Sequence, residues 1–278
     1  MYRPAAVHLY LLFLVLSATP VRASAGDDDE FDNAKHKLQL NAWVSLPSGY
    51  FNGTNKEGYF DIQRDFGFGN YVTFNGGWDW RFKRKHHLLF STSPVGFSRT
   101  TTLHRTIEWQ GQIFDVGGSV QTTIRSLVFT PGYQWDLLRR RTIWVGLLVN
   151  VNLVYTDAKL KATETLTGSG GSTTATTQAD GSLFSPLPAV GPDFRWYPIS
   201  SSRRLYLEGG MTGMSFFGYG NFVSANAVLG FPISHHWDAS AGYLMGSRFK
   251  IYGSSDNIGI RLTQKGPLFG IEYHWGTR

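Results

Sequence analysis

Residues 126–155 read Ser-Leu-Val-Phe-Thr-Pro-Gly-Tyr-Gln-Trp-Asp-Leu-Leu-Arg-Arg-Arg-Thr-Ile-Trp-Val-Gly-Leu-Leu-Val-Asn-Val-Asn-Leu-Val-Tyr. In the second half, Ile143, Val145, Leu147, Val149, Val151, Leu153 and Tyr155 are apolar at every other position. The alternate set, from Trp144 and Gly146 to Asn150 and Asn152, is smaller or more polar toward one end. Successive side chains of a strand point to opposite faces, so a period of two marks a strand with two unlike faces. The first half repeats the pattern, with Leu127, Phe129, Pro131, Tyr133 and Trp135 against Ser126, Thr130, Gly132, Gln134 and Asp136. Soluble strands usually end after about 5–6 residues. The run 143–155 is longer, and at about 3.3 Å per residue it reaches about 40 Å, or roughly 28 Å when tilted near 45°. That depth matches the hydrocarbon of a bilayer. Two such strands joined by the basic turn at Arg139-Arg140-Arg141 read as a transmembrane β-hairpin.

The start of the chain says how it would reach a membrane. Arg3 is followed by an apolar run at residues 9–16 and by the small-residue site Ala23-Ser24-Ala25. Residues 1–25 are therefore expected to be a secretory signal peptide, too short for a membrane helix. Its removal leaves 253 of the 278 residues and, with Arg3 and Arg22 gone, lowers the formal charge from +6 to +4. No later run approaches the 18 or so apolar residues of a membrane helix, so membrane entry requires a closed barrel. The chain has no cysteine, which excludes thiol catalysis and thiolate metal sites. Its 32 glycines, 15% aromatic and 17% charged residues suit a barrel with small residues inside and aromatic belts outside. Basic clusters at Lys83-Arg84-Lys85, Arg139-Arg140-Arg141 and Arg203-Arg204 fall in turns, which favours anionic lipid headgroups over nucleic acid as partners.

Residues 26–36, with Asp27-Asp28-Asp29-Glu30, read as a disordered leader, and residues 37–278 as the barrel. Alternation places strands at about 37–46, 71–82, 87–97, the hairpin pair within 126–155, 188–197, 204–217, 222–233, 237–252 and 257–275. In the last of these the apolar phase switches, so a bulge is expected at Lys265-Gly266-Pro267. The fold class is thus all-β, an antiparallel up-and-down transmembrane barrel of about ten strands, with a range of 8–12. Short connections at residues 83–86, 138–142, 200–203 and 234–236 belong to the periplasmic side. Mobile outside loops are expected at about 47–70, 99–122 and 163–182, the second a hairpin extending beyond the membrane and turning near Gln110-Gly111, the last low in complexity. Within the first loop, residues 59–68 are candidates to fold over the mouth or insert as a small plug, with Asp61, Arg64 and Asp65 at the pore entrance. Trp80, Trp135, Trp144, Trp196 and Trp237 lie near tight connections and Trp275 near the C-terminus, so all six are expected at one membrane interface.

Residues 80–88, Trp-Arg-Phe-Lys-Arg-Lys-His-His-Leu, followed by Arg105-Thr106-Ile107-Glu108-Trp109 and later by Gly266-Pro267-Leu268-Phe269-Gly270-Ile271, resemble a family of uncharacterised bacterial outer-membrane β-barrel proteins. The likeness spans most of the mature chain, and none of its motifs is catalytic. The terminal aromatic of such barrels corresponds to Trp275, three residues before the end at Arg278, a departure from the usual pattern. The resemblance implies residence in a Gram-negative outer membrane. Its lipids, lipopolysaccharide included, and the barrel-assembly machinery would then be partners.

Candidate site residues are the charges on inward registers: Asp79, Arg81, Asp193, Arg195, Glu208, Glu272 and His274. They read either as a pairing ladder that fills the barrel or as a polar, porin-like path for small solutes, since an unpaired buried charge is costly. Glu272 and His274 share a face, but no nucleophile or orienting partner accompanies them. The pairs His86-His87 and His235-His236 point to opposite faces and read as solvated interfacial residues; no metal and no cofactor is expected. The function expected is a non-enzymatic integral outer-membrane protein, structural or a narrow passive channel. The alternatives are a barrel enzyme acting on lipid or peptide at the outer leaflet, and a soluble lipocalin-like barrel with its apolar face inward.

Overall fold

The computed structural model describes residues 32–277 apart from 53–58, 105, 110–111, 115–117, 169–170, 200–203, 217–219 and 252–258. The expected signal peptide and residues 26–31 lie outside the described residues. Thirteen strands follow in order: β1 (Ala34–Asn52), β2 (Tyr59–Asp61), β3 (Tyr71–Lys83), β4 (His86–Thr102), β5 (Ile107–Trp109), β6 (Gln112–Phe114), β7 (Ser119–Arg140), β8 (Ile143–Gly168), β9 (Gly171–Trp196), β10 (Tyr206–Phe216), β11 (Gly220–Pro232), β12 (Trp237–Ile251) and β13 (Gly259–Thr277). Ten of them form a ring in the order β1, β3, β4, β7, β8, β9, β10, β11, β12, β13, which β13 closes by pairing antiparallel with β1 from Ala34↔Thr277 to Asn52↔Gly259. Strand β2 adds to the end of β1, and β5 with β6 makes a separate small hairpin. Closure leaves no unpaired edge in the ring, which is what a β-structure needs to survive in hydrocarbon.

The alternation read from the sequence sets the faces. On β1, Leu38 and Leu40 are outward and exposed while Lys37, Asn41, Trp43 and Ser45 are buried inside. On β3, Val72, Phe74 and Trp78 face out against buried Thr73 and Arg81. An apolar exterior around a polar interior is the reverse of a soluble ligand-binding barrel, so the lipocalin-like alternative does not describe this fold.

Strands extend into all three expected outside loops. β8 and β9 are 26 residues each, paired down to Gly168↔Gly171 through what composition marked as a mobile loop at 163–182. At about 3.3 Å per residue each measures about 85 Å, far beyond the roughly 25 Å apolar band of such barrels. Threonines at 163, 165, 167, 173, 174, 176 and 177 favour extended backbone. A hairpin whose register is already set below needs no buried face to continue. Likewise β1 runs on to Asn52, and β4 and β7 pair through Arg99↔Thr122 to Thr102↔Ser119. At the other end, β1 begins at Ala34 with His36 paired to both Trp80 and Trp275, and Asp32 is buried, so residues 32–36 are ordered where a disordered leader was expected.

Two irregularities steer side chains. Asp136↔Gly146 is followed by Leu138↔Val145, which makes Leu137 an extra residue of β7. Met245 is extra in β12 against both β11 and β13. The bulge expected on β13 at Lys265-Gly266-Pro267 is therefore on its neighbour; against β1, β13 keeps one register from Trp43↔Leu268 to Leu46↔Lys265. Gly266 is still required there, at φ +152° with the Val44 carbonyl oxygen 1.9 Å from where a Cβ would stand.

Inward-facing residues fill the bore in layers. At the long-strand end, Phe66 from the β2–β3 connection packs on Leu103, Val120, Leu160, Ala162 and Ala179. Apolar groups follow below, Leu187, Ala189 and Phe222 in one and Trp43, Val228 and Leu268 in the other. The tight-turn end is charged.

Candidate functional site

Near the tight turns, alternation sends a polar side chain inward from nearly every strand. Asp32, just before β1, is at the centre. Its carboxylate accepts from the Lys37 ammonium at 2.7 Å and from the Trp144 indole N–H at 2.8 Å. Its main-chain oxygen accepts from Arg81 at 2.9 Å and from Arg139. Burial acts to raise the Asp32 pKa, but Lys37, Arg195 and Arg139 outweigh it and hold the carboxyl well below the usual carboxylate range.

Beside this cluster, buried His87 lies between Asp79, 2.8 Å from Nδ1, and Asp136, 3.2 Å from Nε2. Asp136 also accepts from Arg139 at 2.6 Å and Gln134 at 2.8 Å. The Leu137 bulge brings this about: without the extra residue, positions 136 and 139 of one strand would face opposite ways.

Across the ring, Arg195 of β9 reaches Glu272 of β13 with two bonds of 3.2 and 3.0 Å, and Glu208 of β10 through Nε at 2.6 Å. The Tyr206 ring lies 4.3 Å from its guanidinium carbon. Bidentate pairing of this kind is the strong form of a charged hydrogen bond. His274 contacts the His235 carbonyl through Nε2 at 2.8 Å. Asp238, Glu272 and His274 each bring one potential metal-ligand atom within 4.8 Å of the others. Glu272 is already engaged by Arg195, and that guanidinium charge opposes a cation there.

Over this floor sits a cavity of about 320 Å³. Amides and hydroxyls line its walls, among them Gln39, Ser91, Thr130, Asn150, Thr212 and Asn226, and Lys37, Arg195 and Glu272 reach it from below. The long-strand mouth is closed differently. Ile62 N–H donates to the Gly49 carbonyl at 3.1 Å and Gln63 Nε2 to the Pro47 carbonyl at 2.7 Å, which ties the connection to β1. Asp65 accepts from the Asp61 N–H and the Arg64 Nε at 2.8 and 3.1 Å. Phe66 is thereby held inside the bore, and Phe68 stacks on Phe97 with centroids 4.0 Å apart. Of the two expectations for residues 59–68, insertion as a plug describes Phe66.

No protein-family model matches the chain, and no curated protein matches it in sequence. Solved structures match in shape. The outer membrane protease OmpT of Escherichia coli aligns with a TM-score of 0.58 at 10% identity, over 88% of this chain and 98% of that one. The fold is that of a bacterial outer-membrane β-barrel. Two further barrels align less closely: a Pseudomonas aeruginosa FadL homologue (TM-score 0.39, 11% identity, 91% of this chain and 96% of that one) and the attachment invasion locus protein Ail of Yersinia pestis (0.32, 10%, 85% and 99%). At such identities the likeness concerns the fold alone. In outer-membrane barrels short turns generally face the periplasm; here the charged floor is at the short-turn end and the Phe66 plug at the other.

All seven candidate charges lie in the lumen of this outer-membrane barrel. Asp79, Asp193, Arg195, Glu208 and Glu272 line the cavity, while Arg81 and His274 are buried nearer the turns. The structure joins Arg195 to Glu208 and Glu272 and ties Arg81 to Asp32. Of the six interfacial tryptophans, Trp196, Trp237 and Trp275 are exposed outward; Trp80 stacks on Trp78 and His36 outside, and Trp135 shares their face. Trp144 does not belong to the girdle. At 6% exposure it is inside, on the even-numbered face of β8, bound to Asp32. His87 is likewise buried, not solvated, and Arg139 is in the lumen, not at the headgroups. Sequence reasoning passed over Asp32, Lys37, His87, Asp136, Arg139 and Trp144 as site residues. Strict alternation was enough to place Lys37, Asp136 and Trp144; the Leu137 bulge conceals Arg139.

Proposed function

We propose that the chain is a non-enzymatic integral protein of the outer membrane, exported by cleavage of residues 1–25, and that its barrel is closed. Bonding across the bore carries this reading. Lys37 of β1 and Trp144 of β8 are four strands apart in the ring and meet on one Asp32 carboxylate; Arg195 of β9 and Glu272 of β13, also four apart, bind each other. With Phe66 filling the outer end, the structural role is favoured over the passive channel. An enzyme acting on lipid or peptide at the outer leaflet would need its groups at the outer rim. His87, Asp79 and Asp136 are at the periplasmic end, bonded to one another. Partners are the bilayer lipids, with lipopolysaccharide on the outer side, and the assembly machinery during insertion.

The test is solute uptake. Proteoliposomes carrying refolded residues 26–278, with heat-modifiable gel mobility as the sign of a folded barrel, should swell no faster in glycine or a monosaccharide than empty vesicles. Rapid swelling in either solute overturns the closed barrel.

A further inference from the structure

We propose that Lys37 and Trp144 form a carboxylate-binding site at the periplasmic end of the bore, beside Arg81 and Arg139, which the side chain of the chain's own Asp32 occupies, and that a small free carboxylate takes it when that side chain is absent. The inference rests on the closed-barrel reading and deepens it.

The donors come from four strands, β1, β3, β7 and β8, and meet on one residue that belongs to no strand. Asp32 is thus a ligand of the barrel, joined to it only by the short link to Ala34. Its carboxylate takes a charged donor from one side of the ring and a neutral N–H from the other, and its main-chain oxygen takes two guanidinium groups. An anionic acceptor in a shell of buried donors is the arrangement of a bound carboxylate ligand. Removing the Asp32 side chain leaves the Lys37 ammonium buried, with 8% of its side chain exposed, and the Trp144 N–H without its acceptor. Both are costly in a low-dielectric bore, and an anion of the same chemistry relieves both. Acetate and formate supply two oxygens on one carbon and are small enough to enter where a side chain left. Since Lys37 and Trp144 also line the cavity, Asp32 lies directly beneath it, and filling or emptying this site closes or opens the cavity toward the periplasm.

The chain has no cysteine, so a Ser91→Cys thiol on the cavity wall reports access to the lumen alone. The experiment compares modification of this thiol by a small methanethiosulfonate reagent in refolded protein with native Asp32, with Asp32→Ala, and with Asp32→Asn, each first shown to be heat-modifiable. Both variants keep the main-chain contacts to Arg81 and Arg139; Asp32→Asn also keeps the side chain's size and removes only the charge. We expect slow labelling with native Asp32, labelling faster by about tenfold or more with Asp32→Ala, and a return toward the slow rate in sodium acetate but not in sodium chloride at equal ionic strength. Asp32→Asn should fall between. Equal slow rates with Asp32 and Asp32→Ala, or an acetate effect no larger than that of chloride, overturn the carboxylate site while leaving the closed barrel standing. Fast labelling with native Asp32 overturns the closed barrel itself.

Discussion

The indole nitrogen of Trp144 donates to the carboxylate of Asp32 over 2.8 Å, although 112 residues separate the two in the chain. A residue before the first strand is thereby fastened to the fifth strand of a ten-strand ring. The contact turns a leader into part of the barrel's floor.

Trp144→Phe keeps an aromatic ring, though a smaller one, and removes that donor. A hydrogen bond to a buried charged group is worth about 1.5–3 kcal/mol, so unfolding by urea in lipid vesicles should show a loss of that size. Trp237→Phe, on the outer girdle, should cost less, because its ring is 43% exposed in the absence of lipid and leaves no buried carboxylate short of a partner. Equal losses would place Trp144 with the girdle tryptophans.

Arg195 is 2% exposed and holds two carboxylates. Removing one partner of a buried pair typically costs about 3–5 kcal/mol, more than removing both. Arg195→Met should therefore destabilise by about that amount, and Arg195→Met with Glu272→Met by less than the two single losses together. Additive losses in the urea titration would mean that the two groups do not interact.

The depressed pKa of Asp32 sets a pH dependence. A carboxyl whose folded pKa lies below its unfolded value of about 3.9 contributes stability above that value and loses it as pH falls through the folded pKa. The stability gap between native protein and Asp32→Asn should be full at pH 6–7, of the order of a charged hydrogen bond or more, and should shrink as pH falls below about 4. A gap independent of pH would show that the Asp32 charge contributes nothing.

How much of this was legible in the sequence depends on which physical signal wrote it. Period-two alternation over residues 126–155 carries the fold, because a lipid-facing side must be apolar at every second position, and the same rule sets Arg81, Arg195 and Glu272 inside. Composition misled at residues 163–182: threonine and glycine resemble a flexible loop, yet β-branched residues extend readily once strands below have fixed the register. Arg139 was hidden because a one-residue bulge at Leu137 shifts the phase only three residues before β7 ends at Arg140, too few for the new phase to show. Asp32 lay beside an acidic run that reads as solvated, and its partners are scattered over four strands, so nothing local in the sequence marks it. For Trp144, proximity to a turn outweighed its place on the inward face. The face was the better guide.

Phe66→Ala empties the outer plug. Losing a buried aromatic ring costs about 3–5 kcal/mol where the site cannot collapse. Opening the outer end alone should nevertheless give no conductance, since the charged floor remains. Phe66→Ala with Asp32→Ala should give discrete current steps. Steps from Phe66→Ala alone would mean that the floor is permeable.

The most direct measurement is single-channel recording from refolded, heat-modifiable native protein in a planar bilayer, across several salts and voltages. A bore closed by the Asp32 cluster below and Phe66 above predicts silence. Sustained current steps in the native protein, altered by Arg81→Ala or Glu272→Ala, would contradict the closed barrel and make the charged lumen a channel.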